Sequence, residues 1–495
     1  MTGTLPPCDD LVHGTLARLA REHPDRIAIT ENTSAGSTSI SFAQLHAAVT
    51  QRAGELADHH APAIVFVDLN GPVTARLTDF LGIASSGRAA AVADPDWAPG
   101  LRASMAQALA GPPSDRHSAR PDNDFYIGFT SGSTGTPKGF MRDHRSWAES
   151  FRVCLQAFGA AAAGRLLAPG GVSHSLFLFG MLLGVWSGAG VVVQPRFSAA
   201  RALDTLARGD TPSLVAVPSQ LVMMIEHARR RALPPMDGVQ LVMISGARWM
   251  RQRTPELRAL FPQARIVEFY GASETSFIAW MEADEHAPAN AVGQPFPGVE
   301  IDIRQRQGGM ADEQSGLIFV RSKMLFSRYV GAEIDPTAAL REDAGWLSVR
   351  DMGYLDAAGR LRLTGRQNRM IVTAGKNLFP EEIEACLMAH PGVAAASVQG
   401  LPDAVRGLQV VAWVQPVATA QAGAHGQATD DVLPGCSAQA LATWCRERLE
   451  PFKVPRQFHV CQDWPLTPGG KTDHPALMQR LLEEQTLPPP AGMQT

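Results

Sequence analysis

The amino-acid sequence predicts an α/β protein of two or more domains, with largely parallel sheets in its N-terminal part. A chain of 495 residues is too long for one ordinary core and divides into domains. Helix-period segments alternate with short β-branched runs: Leu11–Glu22 then Ile27–Thr30, Thr74–Ser86 then Ala89–Ala93, Gln220–Arg231 then Val239–Ile244. Such alternation is what strands joined by crossover helices produce. From Gly298 to Arg366 the pattern changes to strands with few helices (Glu300–Arg304, Gly316–Arg321, Gly353–Asp356, Arg360–Leu363), which predicts a small β-barrel or antiparallel sheet.

The composition is 45% apolar and 19% charged, that of a globular chain. A net charge of −4 gives no reason to expect nucleic acid or an acidic membrane surface as partner. The six cysteines are scattered without a C-x-x-C pair, which fits a reducing compartment and argues against a disulfide framework or a zinc site. The N-terminus carries Asp9 and Asp10 and no apolar run of signal length, so a cytoplasmic protein is expected. Leu176–Val193 is uncharged, yet Gly180, Gly184, Gly188 and Gly190 interrupt it. It reads as a buried helix over Gly180–Ser187 followed by the strand Val191–Val193, not as a membrane span, and the four-residue glycine spacing would let that helix pack close to a neighbour. Further on, Pro380 followed by Glu381 and Glu382 predicts a helix N-terminus. The Ala/Gly/Gln/Thr-rich stretch Ala418–Gly435 predicts a surface loop, and the proline-bearing tail 485–495 a disordered end.

The run Thr130-Ser131-Gly132-Ser133-Thr134-Gly135-Thr136-Pro137-Lys138-Gly139 holds three Gly, two Ser, three Thr and one Lys. It offers backbone N–H groups, hydroxyls and an ammonium to a polyphosphate, and its glycines let the backbone approach an anion closely. The apolar Phe125, Tyr126, Ile127 and Phe129 before it read as a buried strand. The run is therefore a strand-then-loop phosphate site for ATP or another nucleotide. It is not a P-loop, which needs Gly before the Lys and a hydroxyl after it; here Pro137 and Gly139 flank Lys138.

The run resembles the phosphate loop of the acyl-adenylating superfamily (acyl-CoA synthetases, luciferases and the adenylation domains of nonribosomal peptide synthetases), closest in character to a bacterial acyl-CoA synthetase. Further motifs follow in family order, so the resemblance covers almost the whole chain. Phe269-Tyr270-Gly271-Ala272-Ser273-Glu274-Thr275 ends the strand-like Ala264–Glu268 and sets an aromatic and an acid at a sheet's carboxyl edge. The resemblance implies that Tyr270 packs on adenine, that the small residues line the acyl pocket, and that Glu274, with Thr134, holds Mg²⁺, a hard cation that takes oxygen ligands. Gly345-Trp346-Leu347-Ser348-Val349-Arg350-Asp351 resembles G-W-x-x-T-G-D; Asp351 would accept both ribose hydroxyls, while Val349-Arg350 departs from the usual Thr-Gly. Gly365-Arg366-Gln367-Asn368-Arg369 matches the end of the large domain, with Arg366 on ribose or phosphate and Asn368 where the family keeps an Asp or Lys hinge. Pro465–Asp473 resembles P-x-T-x-x-G-K-x-[DR], whose lysine, here Lys471, is the family's adenylation catalyst. His174 falls where the family keeps an aromatic or His beside the carboxylate, Gly246, Ala247 and Arg248 where it contacts adenine, and Gly375 where it forms the thiol tunnel.

What the resemblance implies is a large N-terminal domain over 1–367, made of two parallel-rich α/β subdomains and a small β-barrel at about 295–366. A smaller mobile α+β domain over 368–484 follows. The expected reaction is Mg·ATP-dependent conversion of a carboxylic acid to an acyl-adenylate, then transfer to the thiol of CoA or of carrier-protein phosphopantetheine, by a monomer or homodimer. The acyl pocket would be lined by Ser175, Leu176, Phe179, Met243, Ser245, Phe269, Phe277 and Ile278. That set is apolar and lacks a cation, and Ser175 stands where amino-acid-activating relatives keep an aspartate. A fatty or other apolar acid fits best, an aryl acid next.

Overall fold

The structure, a computed structural model, describes residues 9–115, 118–130, 137–305, 315–331, 336–373, 376–403, 407–417, 437–466 and 472–486. Two sheets built from βα units share the N-terminal part. In the larger one, Ile27–Thr33, Val191–Val193, Leu166–Ala168, Ser213–Ala216, Leu241–Ile244 and Arg265–Ala272 lie side by side and parallel. The smaller runs Ile64–Phe66, Ala89–Ala91, Asp124–Thr130 in parallel, then Lys138–Asp143 and Arg328–Val330 antiparallel. A third sheet, Lys376–Leu378, Ile371–Thr373, Gly407–Pro416, Val393–Asp403 and Gln457–Val460, belongs to a smaller C-terminal α+β domain with cores of its own.

The antiparallel region continues the larger sheet. Arg265–Ala272 turns back into Ser276–Glu282, which pairs with Ala291–Pro295, and that strand pairs with Leu361–Arg366. Asp351–Leu355 and Gly316–Arg321 follow. Among the described residues no ladder closes this region into a separate barrel. Its Arg328–Val330 instead crosses to the smaller sheet and locks the two together.

The helix read over Gly180–Ser187 begins earlier and covers Ser175–Ser187, with His174 as its N-cap and Gly188, at φ 81°, ending it. It is apolar on every side because it is buried on every side. Its spaced glycines meet strands, not another helix: a Cβ on Gly184 would stand 2.7 Å from the Gly190 carbonyl oxygen, and one on Gly180 2.8 Å from Val215 Cγ1. The first helix is shorter than its apolar period, Leu16–Glu22, because Leu11–Thr15 is spent on turns. Pro380–Met388 starts on Pro380 as expected. The last helix, His474–Thr486, runs into the segment expected to be disordered; 487–495, with 418–436, lie outside the described residues. Among the described residues no helix is long and apolar enough to cross a membrane.

Just past Asn368, Arg369 ties itself into the C-terminal domain. It donates to Glu381 at 3.0 Å, to Glu384 at 2.6 Å and to the Val398 carbonyl at 3.3 Å. His474, which opens the last helix, shares this cluster through Ser397 at 2.7 Å. The chain on either side of 467–471 is pinned: Leu466 bridges to Thr472, and Asp473 N–H donates to the Pro465 carbonyl at 2.9 Å.

Candidate active site

The carboxyl ends of Leu241–Ile244 and Arg265–Ala272 open on a cavity of about 380 Å³. Crevices outside the strand ends are where open α/β sheets take ligands. Ser245, Gly246, Ala247 and Arg248 leave the first strand and line it; Phe269, Tyr270, Gly271, Ala272 and Ser273 do the same from the second. His174, Ser175, Leu176 and Phe179, from the helix cap and first turns, add a further wall, as do Phe277 and Arg366. Phe277 packs edge-on to Phe179 at 5.0 Å and to Phe269 at 5.1 Å, which makes an aromatic floor.

Two expected pocket residues lie elsewhere. Met243 does not line the cavity; its side chain is buried in the core that also holds Phe179 and Phe277, its sulfur 3.8 Å from Cys154 Sγ. Ile278, next to Phe277, is likewise fully buried in the core. Thr275 is buried too, its Oγ1 accepting from Ala272 N–H at 3.1 Å.

The turn after Ala272 carries Glu274. It is a tight hairpin with a bulge between Tyr270 and Gly271, and Ser276 takes a left-handed φ of 55° to close it. A Cβ on Gly271 would overlap the Ser276 carbonyl oxygen and stand 2.9 Å from its carbon, so only glycine fits there. The Glu274 carboxylate accepts from the Tyr329 hydroxyl at 2.5 Å. On the same strand Tyr270 turns its hydroxyl to Asp351 Oδ2, while Arg366 Nε donates to Oδ1 at 2.9 Å. Asp351 is only 4% exposed. Burial, reinforced by the Asp351 charge, pushes the Tyr270 phenol well above its usual range, so it remains a donor.

In the phosphate run, Thr130 and Lys138 face each other in register at the ends of two antiparallel strands. The strand–loop unit is thus a hairpin. Ser131, Gly132, Ser133, Thr134, Gly135 and Thr136 lie outside the described residues, as do Gly375 and Lys471.

Residues 79–330 match the family described as AMP-binding enzyme, and 382–471 match the AMP-binding enzyme C-terminal domain. The chain belongs to the AMP-binding enzyme family. It is an adenylate-forming ligase. It is 36% identical over 353 residues to a Bacillus subtilis protein named as the uncharacterized acyl–CoA ligase YhfT, covering 71% of this chain and 67% of that one. It is 31% identical over 284 residues to the putative long chain fatty acid–CoA ligase VraA of Staphylococcus epidermidis, covering 57% and 59%. Its fold is shared with o-succinylbenzoate CoA synthetase MenE of Bacillus subtilis, solved with its acyl-adenylate intermediate, at TM-score 0.77 and 23% identity over 93% of this chain and 97% of that one.

Several residues of this AMP-binding enzyme's cavity escape the motifs. Contrary to an apolar wall without cations, Arg142 lines it. Its guanidinium donates to the Ser273 carbonyl at 3.0 Å and the Met324 carbonyl at 2.7 Å and lies over Trp147 at 5.1 Å. Burial pulls its pKa down to about 10, so it stays a cation at neutral pH. Arg251 and Glu268 form a bidentate pair at 2.8 and 3.1 Å on the lining, and Arg251 also donates to the Ala291 carbonyl at 2.7 Å. Trp147 and Ser150, three residues apart, are one face of the helix His144–Phe158. That spacing is visible in sequence, but what the face meets is not.

The departure before Asp351 has a structural cost. Arg350 sits at φ 65°, in the left-handed region where the family keeps Gly. Arg350→Gly is expected to stabilise the protein by about 0.5–1 kcal/mol, strain relief outweighing the added freedom of the unfolded chain. Chemical denaturation checks this.

Proposed function

We propose that this enzyme activates an apolar carboxylic acid with ATP to an acyl-adenylate and pyrophosphate, then passes the acyl group to the thiol of CoA, releasing AMP. The observation that carries this reading is the convergence of Tyr270, Asp351 and Arg366 at a cavity whose remaining wall includes Leu176, Phe179, Phe269 and Phe277. A nucleoside-binding edge adjoins an aromatic acyl pocket. The names of YhfT and VraA, both given as CoA ligases, support the acceptor.

In this reading 1–367 bind nucleotide and acid, 368–484 form the moving domain, and Asn368 is the hinge. Gly246, Ala247, Arg248 and Tyr270 hold the adenine. Asp351 accepts from ribose hydroxyls beside its present donors, since a carboxylate has about four lone-pair sites. Thr130–Thr136 and Lys138 cradle the phosphates, and His174 adjoins the reacting carboxylate. Glu274, whose second carboxylate oxygen has no hydrogen bond to Tyr329, would hold the metal with Thr134, both offering hard oxygen donors. That suits Mg²⁺, which commonly uses one or two carboxylates and substrate phosphates. When bound there it neutralises phosphate charge. Lys471 bridges the attacking carboxylate and the α-phosphate, stabilising charge that develops as they join. Gly375 lines the thiol's path after the domain turns.

The test is ATP–pyrophosphate exchange across a panel of carboxylic acids, then thioester formation with CoA or a phosphopantetheinyl carrier. Exchange with apolar acids and transfer to CoA is the expected result. Transfer only to the carrier overturns the acceptor, and exchange confined to polar or dicarboxylic acids overturns the substrate class. Phe277→Ala, by opening the aromatic floor, is expected to favour longer acids by roughly fourfold per extra buried methylene. Comparing kcat/KM along a chain-length series measures this.

A further inference from the structure

Glu274 stands on a short turn, and the segment from Met324 to Val330 grips that turn. The Phe326 N–H donates to the Glu274 carbonyl at 2.8 Å. The Tyr329 hydroxyl donates to the same residue's carboxylate, on Oε1, at 2.5 Å. Arg142 ties the two segments from beneath, through the Ser273 carbonyl at 3.0 Å and the Met324 carbonyl at 2.7 Å. Tyr329 is itself fixed: its ring packs on Phe326 at 4.9 Å and its N–H donates to Thr337 Oγ1 at 2.9 Å. Its strand pairs with the one that begins at Lys138, Val330 lying opposite Gly139. Tyr329 therefore joins the strand leaving the phosphate run to the carboxylate on the neighbouring turn.

We propose that Tyr329 is a positioning residue for the metal carboxylate: its hydroxyl takes Glu274 Oε1, fixes the side chain's rotamer, and leaves Oε2 as the oxygen for Mg²⁺. This rests on the reading of Glu274 as the Mg²⁺ ligand. A glutamate has three side-chain torsions to immobilise, and a hydrogen bond from a fixed phenol to a carboxylate is short and directional. Groups that orient a metal ligand in this way typically change metal affinity by about 10- to 100-fold when removed.

The variant is Tyr329→Phe, which keeps the ring and its packing. Titration calorimetry on the full-length protein compares Mg·ATP with ATP in EDTA. Mg·ATP should bind about tenfold or more weakly to the variant, while ATP in EDTA binds within twofold of wild type. In exchange assays the Mg²⁺ concentration for half-maximal rate should rise with the acid's KM unchanged. Equal weakening of both ligands, or of neither, overturns the proposal. Glu274→Gln separates the two readings. If it leaves the preference for Mg·ATP intact, Glu274 is not the metal ligand; if it abolishes the preference while Tyr329→Phe does not, only the role of Tyr329 falls. In the Glu274→Gln background, Tyr329→Phe should add no further loss; an independent loss there also overturns the proposal. Should Tyr329→Phe fold poorly, Glu274→Asp, whose shortened side chain withdraws from the phenol, must show the same selective loss of Mg·ATP affinity, and retention of full affinity counts against the proposal.

Discussion

Replacing Lys471 with Ala is expected to slow acyl-adenylate formation by about 10²–10³-fold or more, the range for removing one preorganised group that meets transition-state charge. Thiolysis of a supplied acyl-adenylate by CoA should proceed at the wild-type rate. The asymmetry follows from the chemistry. When a carboxylate approaches the α-phosphate, two anions must be brought together, and an ammonium between them lowers the barrier for that step. In thiolysis the mixed anhydride is already made, and the charge develops on the acyl carbonyl oxygen and the departing AMP instead of between the carboxylate and the α-phosphate. Pyrophosphate exchange reads the first half-reaction; single turnover of synthetic acyl-adenylate with CoA reads the second. Normal exchange in the variant would remove Lys471 from the mechanism, and equal loss in both halves would show a general defect.

Gly271→Ala is expected to lower exchange activity by at least about 100-fold while the C-terminal domain keeps its fold. The new methyl group would enter the Ser276 carbonyl, which is backbone and cannot rotate away. The hairpin must then open at its bulge, between Tyr270 and Gly271. Opening displaces two contacts together: Tyr270 leaves Asp351, and Glu274 leaves Tyr329. Each misplacement alone costs catalysis, since small shifts of positioning groups carry large rate penalties. Gly54→Ala is the control. Gly54 lies within the helix Phe42–Asp58 with open space around it, so activity should be retained. Wild-type exchange in Gly271→Ala would mean that the turn carries no part of the site.

Much of the site was legible because its residues cluster in short runs. Phe269–Ser273, Gly246–Arg248 and Arg366 all reach one cavity, as local motifs placed at strand ends should. Offsets counted inward along a strand fared worse: Met243 and Ile278 are buried in the same core as Phe179 and Phe277 but are absent from the cavity lining. Arg142 and Tyr329 went unseen because nothing local marks them. Each becomes informative only when a distant turn is folded against it, 131 residues away for Arg142 and Ser273, 55 for Tyr329 and Glu274. The parallel sheets were readable from alternation, whereas the passage of Arg328–Val330 from one sheet to the other has no signal in spacing.

The tethering of Arg369 has a consequence for how accurately Lys471 can be aimed. Its clasp on Glu381 and Glu384 makes the chain beyond Asn368 part of a solid body that also includes the base of the last helix, through Ser397 and His474. The segment bearing Lys471 starts and ends on that body, at Leu466 and Thr472. With Asn368 as the hinge proposed above, the lysine's aim would be set by the bearing of a whole domain about one residue, as a clock hand's tip is set by its arbor. A substitution at Asn368 would then alter the angles available to it, and one at Arg369 would introduce play into them.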